Sequence, residues 1–278
     1  MLKLMYITND VNVASIAQSV GVDRIFIDLE KIGKASRQNG LDTVMSSHNI
    51  NDILKIKEIM KSSDLLVRCN PIHTNVEGFL DSKEEIDQII KNGADIVMLP
   101  FFKTIDEVRL FLKYVNKRSK TMLLFETKES IKIIDEILNL DGIDEVFIGL
   151  NDLSISLGRK FMFELLSDGT VEWIVDKFKE HNLVFGFGGI ASLGNGLLPS
   201  EKIIMEHYRL GSSSAILSRS FCNLKNTNSL NEIEIIFQNG LFEIRNFEKR
   251  CKALSKKDFE RNKNDVKESV KTIVTRLN

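Results

Sequence analysis

The sequence predicts an α/β fold, a (β/α)8 TIM barrel followed by a C-terminal helical extension, on three observations. Short apolar runs alternate with amphipathic segments of helical period as far as about residue 220. The runs number eight, the count that closes a parallel barrel. The first β-α connection, ITNDVNVAS, lacks the glycine fingerprint that an open doubly wound sheet would need there.

The expected strands are Leu4–Thr8, Arg24–Leu29, Leu65–Asn70, Asp95–Leu99, Thr121–Phe125, Glu145–Ile148, Val184–Phe187 and Ser214–Leu217. Strands that alternate with helices pair in parallel. Helices are expected over Ser82–Asn92, Thr104–Asn116, Lys128–Leu138 and Thr170–Asn182, where apolar residues such as Ile86, Ile89 and Ile90 recur at helical spacing. Ser82 with Glu85, and Thr104 with Glu107, read as capping boxes. Asn92-Gly93 and Asp141-Gly142 are helix-stop signals just before strands. Lys31 to Asn51 is longer and more polar than an ordinary β-α connection and is expected as an irregular loop over the barrel mouth. After Phe221 the pattern changes: Asn223–Asn231 is polar, Glu232–Leu254 has helical spacing, and Asp258–Leu277 is a highly charged amphipathic helix. This gives a barrel domain over 1–222 and an extension over 223–278, which reads either as a closing helix with a tail or as an oligomerisation arm.

Bulk properties exclude several classes. Apolar residues are 43% and charged residues 28%, as in a water-soluble chain with a sizeable core. A formal net charge of −1 provides no field to recruit nucleic acid or an anionic membrane. Cys69, Cys222 and Cys251 have neither CxxC nor zinc-type spacing and read as thiols of a reducing compartment. MLKLMYITND has no signal-peptide pattern, and no run approaches the ~18 apolar residues of a membrane span. A cytoplasmic location is expected.

The chemistry is expected where strands end. Glu126 ends TMLLFE and Asp152 ends EVFIGLND, so two successive β-α units each deliver a carboxylate to the same rim. Two carboxylates with water suit a hard cation such as Mg²⁺. The competing reading makes each a helix cap or first-turn carboxylate. Alternation puts Asp28 and Glu30 on one side of the second strand, and Arg68 and Asn70 on one side of the third. Arg68 can clamp a substrate carboxylate and stabilise enolate charge, or form a structural ion pair with Glu30 or Asp28. Lys31 and His48 are the candidate bases, each against a bland reading as a solvated loop residue, with His73 a weaker rival. His181 and His207 fall on helices and read as structural, and Trp173 with Phe178 as helix-packing surface. Five glycines from Gly186 to Gly196 form either an anion cradle or a flexible turn.

FIDLE (Phe26–Glu30), LLVRCN (Leu65–Asn70), GADIVMLPFF (Gly93–Phe102), LLFET (Leu123–Thr127) and FIGLNDLSISLG (Phe147–Gly158) occur in the order and spacing of one family. Over Tyr6 to Phe221 the chain resembles the HpcH/HpaI aldolase and citrate lyase β-subunit family of the phosphoenolpyruvate/pyruvate-barrel superfamily. The resemblance implies that Glu126 and Asp152 bind Mg²⁺ or Mn²⁺ and that Arg68 contacts the keto-acid oxygens. It implies a metal-dependent aldolase or carbon–carbon lyase acting through the enolate of a chelated, pyruvate-type 2-keto acid. The partner substrate would be an aldehyde or acyl compound, and the assembly a homo-oligomer. Glu30, Lys31 and His48 are the further catalytic candidates; Asn70, Leu150 and Asn151 join Arg68 as candidate substrate contacts.

The chain also departs from the aldolase branch. Lys31 stands where that branch carries histidine after the acidic residue of the second strand, Leu124 where it often carries glutamine, and Leu150 where its turn carries proline. The polar 31–51 loop and the long FGFGGIASLGNGLLPSE segment (Phe185–Glu201) point to a subgroup with a larger or more polar substrate. Two rival readings follow: a citrate-lyase-type enzyme acting on an acyl-CoA, and a non-catalytic barrel that binds a metabolite.

Overall fold

The computed structural model describes residues 1–34, 47–223, 227 and 229–277. Eight parallel strands close in sequence order: β1 (Lys3–Ile7), β2 (Arg24–Asp28), β3 (Asp64–Arg68), β4 (Ile96–Leu99), β5 (Lys120–Phe125), β6 (Glu145–Ile148), β7 (Val184–Ile190) and β8 (Ser214–Leu217), with β8 pairing back to β1. The fold is therefore the expected (β/α)8 TIM barrel. Most expected strand bounds move by only a residue or two, but β7 runs on to Ile190 through a register irregularity between Gly186 and Gly189.

Alternation sorts each strand's side chains. One set, including Leu4, Ile25, Val67, Val97 and Phe125, packs outward against the helices. The other fills the barrel: Met5, Phe26, Leu66, Met98, Leu124 and Phe147 form a separate apolar plug. Beneath the plug the fully buried Arg24 of β2 reaches Glu145 of β6 through bonds of 2.7 and 2.6 Å. Above it the same inward series brings polar groups to the mouth: Asp28, Arg68 and, one residue beyond β5, Glu126.

Thr104 and Glu107 form the expected capping box on helix Ile105–Val115. Ser82 with Glu85 does not. That helix is entered from Asp81 without a side-chain cap; Ser82 accepts the His73 N–H, and Glu85 turns to Asn70. The helix expected over Lys128–Leu138 divides at Ile133 into Lys128–Lys132 and Ile134–Leu138.

Helix Leu230–Cys251 packs against Val11–Ser19 and Ser200–Leu210, the helices after β1 and β7, and so stands in the eighth place of the ring. Its buried Glu248 accepts from the Leu2 N–H at 2.6 Å, the Tyr208 hydroxyl at 3.0 Å and Arg245 at 2.7 Å. Helix Lys256–Leu277 packs on Ser200–Leu210 and Glu164–Ser167, with Asn262 donating to the buried Glu206 at 2.9 Å. Cys69, Cys222 and Cys251 are all buried free thiols. Among the described residues no helix is long and apolar enough to cross a membrane.

Candidate active site

The mouth has two halves. On the β2–β3 side, Arg68 grips Asp28 side-on, Nε to Oδ1 and Nη2 to Oδ2, both at 2.8 Å. The two residues are register partners on adjacent strands, so the sheet itself sets this pair. Arg68 Nη1 lies 3.2 Å from Glu30 Oε2, and its guanidinium stands over the Phe26 ring that tops the plug. Burial raises the Asp28 carboxyl, but Arg68 and Lys34 outweigh it and hold the group well below the usual carboxylate range. Burial likewise opposes the Arg68 charge. Asp28, then Glu30 and Glu126, reverse that and push its pKa well above the ordinary value.

On the β5–β6 side, Glu126 follows β5 and is 3% exposed. Its Oε1 accepts the Phe101 N–H at 3.0 Å, an amide aimed by a left-handed backbone (φ 49°) just past Pro100. The helix-cap reading of Glu126 fails, because Thr127 caps Lys128–Lys132 by accepting the Ser130 N–H. Asp152 lies in the first turn of Leu150–Ser156, whose cap, Gly149, makes no side-chain bond. It is half-buried and receives the Asn151 amide at 3.0 Å, so the first-turn reading holds for it alongside any other role. Gly149 joins the halves of this pair: a Cβ there would lie 2.7 Å from Glu126 Oε2.

The donors are carboxylate oxygens delivered by neighbouring strand ends, with no thiolate among them. Among the described residues no cluster of three or more His, Cys, Asp or Glu forms a cage. The space over the cap residue of the helix carrying Asp152 is filled by the Glu126 carboxylate, because glycine leaves it open. Such a sparse oxygen set fits a hard cation that keeps several waters, as Mg²⁺ does, and not a zinc-type site.

The other expected site residues fall in different places. Asn70 does not face a substrate: Oδ1 accepts the Lys31 and Ile32 N–H groups at 2.8 and 3.0 Å, and Nδ2 donates to Glu85 at 2.7 Å. Burial raises the Glu85 carboxyl, with the Asn70 bonds opposing. His48 is buried, and its Nδ1 accepts the Asp28 backbone N–H at 3.0 Å. In that tautomer the acceptor nitrogen is occupied by the strand, and burial disfavours the charged ring, so His48 anchors the end of β2. Leu150 is buried against Gly188, where a Cβ would meet its Cδ1 at 2.7 Å; Asn151 is exposed. The side chain of Lys31 makes no hydrogen bond or ion pair among the described residues. The loop expected over the mouth falls, for residues 35–46, outside the described residues.

In the glycine segment the Gly194 N–H is already taken by Glu201 Oε1 at 2.9 Å, which argues against an anion cradle. His73 sits between the Pro71 and Leu80 carbonyls, 2.7 Å from each. His207 is structural as expected, stacked on Phe187 with ring centroids 3.8 Å apart. Phe178 is buried, but Trp173 is 46% exposed and packs little.

Sequence reasoning missed Lys34. Its buried ammonium lies 2.7 Å from Asp28 Oδ2 and 3.5 Å from Glu30 Oε2. Its one signal was the Glu30/Lys34 spacing of four, in a segment that read as solvated loop.

Residues 4–164 match the family described as HpcH/HpaI aldolase/citrate lyase. A 2-keto-3-deoxy-L-rhamnonate aldolase of Escherichia coli O1:K1 is 29% identical over 119 residues, covering 32% of this chain and 43% of that protein. The chain thus spans less than half the length of the curated relatives it matches. An HpcH/HpaI aldolase/citrate lyase family structure from Burkholderia cenocepacia J2315 superposes with a TM-score of 0.60 at 14% identity, over 84% of this chain and 94% of that one. An HpcH/HpaI aldolase from Desulfitobacterium hafniense DCB-2 gives 0.57 at 16%, over 78% and 86%. At these identities the superpositions speak for the fold.

Proposed function

This chain belongs to the HpcH/HpaI aldolase/citrate lyase family, and on that premise we propose that it is a divalent-metal-dependent aldolase that makes or cleaves the carbon–carbon bond beside a pyruvate-type 2-keto acid. One observation carries the reading. A guanidinium has five N–H donors; Asp28 accepts two of those of Arg68, Glu30 stands 3.2 Å from Nη1 as an ion-pair neighbour, and the side chain keeps 14% exposure. The remaining donors suit a carboxylate.

Glu126 and Asp152 would hold Mg²⁺ or Mn²⁺, which when bound supplies Lewis acidity to the keto oxygen and a template for the substrate. Arg68 pairs with the substrate carboxylate and offsets negative charge that gathers on the keto oxygen as the α-carbon turns nucleophilic. Asp28 fixes the plane of the guanidinium, so the donors need no reorganisation during the reaction. Glu30, beside Nη1, organises water at the same edge. The apolar plug excludes solvent from below.

The test is turnover of pyruvate with a panel of aldehydes, with and without a chelator. Chelation is expected to abolish turnover, and Asp152→Ala and Glu126→Gln to remove it while melting stays near that of the wild type. Full metal-dependent turnover in Asp152→Ala would sink the assignment.

A further inference from the structure

We propose that Lys34 is a positioning residue that keeps Arg68 available to the substrate carboxylate, an inference that rests on the clamp reading of Arg68 given above. Four charges alternate around the β2–β3 half of the mouth. Asp28 Oδ2 is shared by Arg68 Nη2 at 2.8 Å and Lys34 Nζ at 2.7 Å. Glu30 Oε2 is shared by Arg68 Nη1 at 3.2 Å and Lys34 Nζ at 3.5 Å. Each cation thus touches both anions, and the quartet is neutral.

The position of Lys34 is built and not incidental. A freely solvated lysine after a strand would not reach inward, but this one is 6% exposed. The turn that carries it is closed by the Lys34 N–H on the Lys31 carbonyl at 3.2 Å. Asn70 holds the same turn through the Lys31 and Ile32 N–H groups, and Glu85 holds Asn70. Strand β3 therefore supplies both Arg68 and, two residues on, the clamp that delivers Lys34.

Without Lys34, one guanidinium faces two buried carboxylates and this half of the mouth carries a net −1. An approaching carboxylate then meets an uncompensated negative charge within a few ångströms, in surroundings that screen poorly. Glu30 and Asp28 would also compete more strongly for the donors that Arg68 keeps for substrate. Charge at position 34 matters more than the shape of the side chain.

The experiment uses oxalate, a planar dicarboxylate that resembles the enolate of pyruvate, titrated calorimetrically with Mg²⁺ into wild type, Lys34→Met and Lys34→Arg. Lys34→Met should bind oxalate at least about tenfold more weakly, on the Coulomb argument. Its near-UV dichroism should match the wild type, and Lys34→Arg should recover most of the affinity. In turnover, Lys34→Met should raise KM for the keto acid more than it lowers kcat. Wild-type oxalate affinity in a folded Lys34→Met overturns the inference alone, as does failure of Lys34→Arg to rescue. Should Lys34→Met not fold, Lys34→Gln carries the same test. A wild-type protein without Mg²⁺-dependent oxalate affinity overturns the functional reading and this inference with it.

Discussion

Glu126 and Gly149 share one small volume at the barrel mouth. A Cβ at residue 149 would stand 2.7 Å from Glu126 Oε2 and 2.8 Å from the Glu126 Cβ. The carboxylate can lie there only because β6 leaves its strand through a glycine. Gly149→Ala must displace it, since the Phe101 N–H and the β5 backbone leave little slack. We expect a loss of about 1–3 kcal/mol in stability from overpacking. Turnover should fall at least roughly tenfold, because sub-ångström placement of a reacting group governs rate. Denaturant unfolding and initial rates at saturating Mg²⁺ separate the two effects.

Arg68→Lys keeps the charge but loses the fork. An ammonium cannot hold Asp28 side-on and also present paired donors to a carboxylate. The expected loss in kcat/KM is roughly a hundredfold, about 2.7 kcal/mol of transition-state stabilisation. Steady-state kinetics against pyruvate measure it; a loss of less than about threefold would remove Arg68 from the mechanism.

Asn70→Ala removes the side-chain acceptor for the Lys31 and Ile32 N–H groups and takes from Glu85 the shorter of its Asn70 bonds, leaving the backbone N–H at 3.3 Å. About 2 kcal/mol of stability should be lost, as for buried hydrogen-bonding groups left unpaired. If Asn70 acts through Lys34, the effects of Asn70→Ala and Lys34→Met on oxalate affinity will be non-additive in a double-mutant cycle.

His207 is fully buried, stacked on Phe187 and bonded to Ser212 through Nδ1 at 2.8 Å. Burial pushes its pKa down to about 3. The unfolded chain takes a proton near pH 6.5 that the folded chain refuses, so stability falls as pH drops below that value. Between pH 7 and pH 5 the loss should be about 2 kcal/mol. Asp28, also depressed, acts in a lower window: its contribution is present above about pH 4 and disappears as pH falls toward its native pKa. In His207→Phe the upper step should vanish, giving a flatter plot of unfolding free energy against pH from 7 to 5.

Glu248→Ala offers a contrast far from the chemistry. Glu248 is fully buried beneath three donors from Leu2, Tyr208 and Arg245. Removing it should cost about 2 kcal/mol, since the Leu2 N–H and the Tyr208 hydroxyl lose their acceptor, while Arg245 keeps Asp23 and the Leu2 carbonyl. The kcat measured well below the melting transition should not change.

The barrel was legible because its signals are local. Strand and helix periods, the Thr104/Glu107 box and the Gly93 and Gly142 stops all lie within a few residues of what they control. Arg68, Glu30 and Glu126 were legible for a related reason: strand alternation brings them to one rim. The misreadings came where a side chain's partner is distant in sequence. Glu85 looked like a capping residue because Asn70, fifteen residues away, was not visible as a competitor. His48 was weighed as a base against a solvated loop residue because nothing near it announced that the Asp28 amide, twenty residues back, would reach its Nδ1. Lys34 drew no notice because its burial depends on a turn pinned from another strand.

The bond between Arg24 and Glu145 reaches from one wall of the barrel floor to the other. Four residues above Arg24 on β2 is Asp28; four residues above Glu145, just past the end of β6, is Gly149. The floor pair is thus a tie-rod between the roots of the two walls that carry the Asp28–Arg68 half and the Glu126–Asp152 half of the mouth. It joins the two walls at their base. A substitution at this hidden strut releases both walls at their base, so an altered fit at the rim can be sought from the opposite end of the barrel.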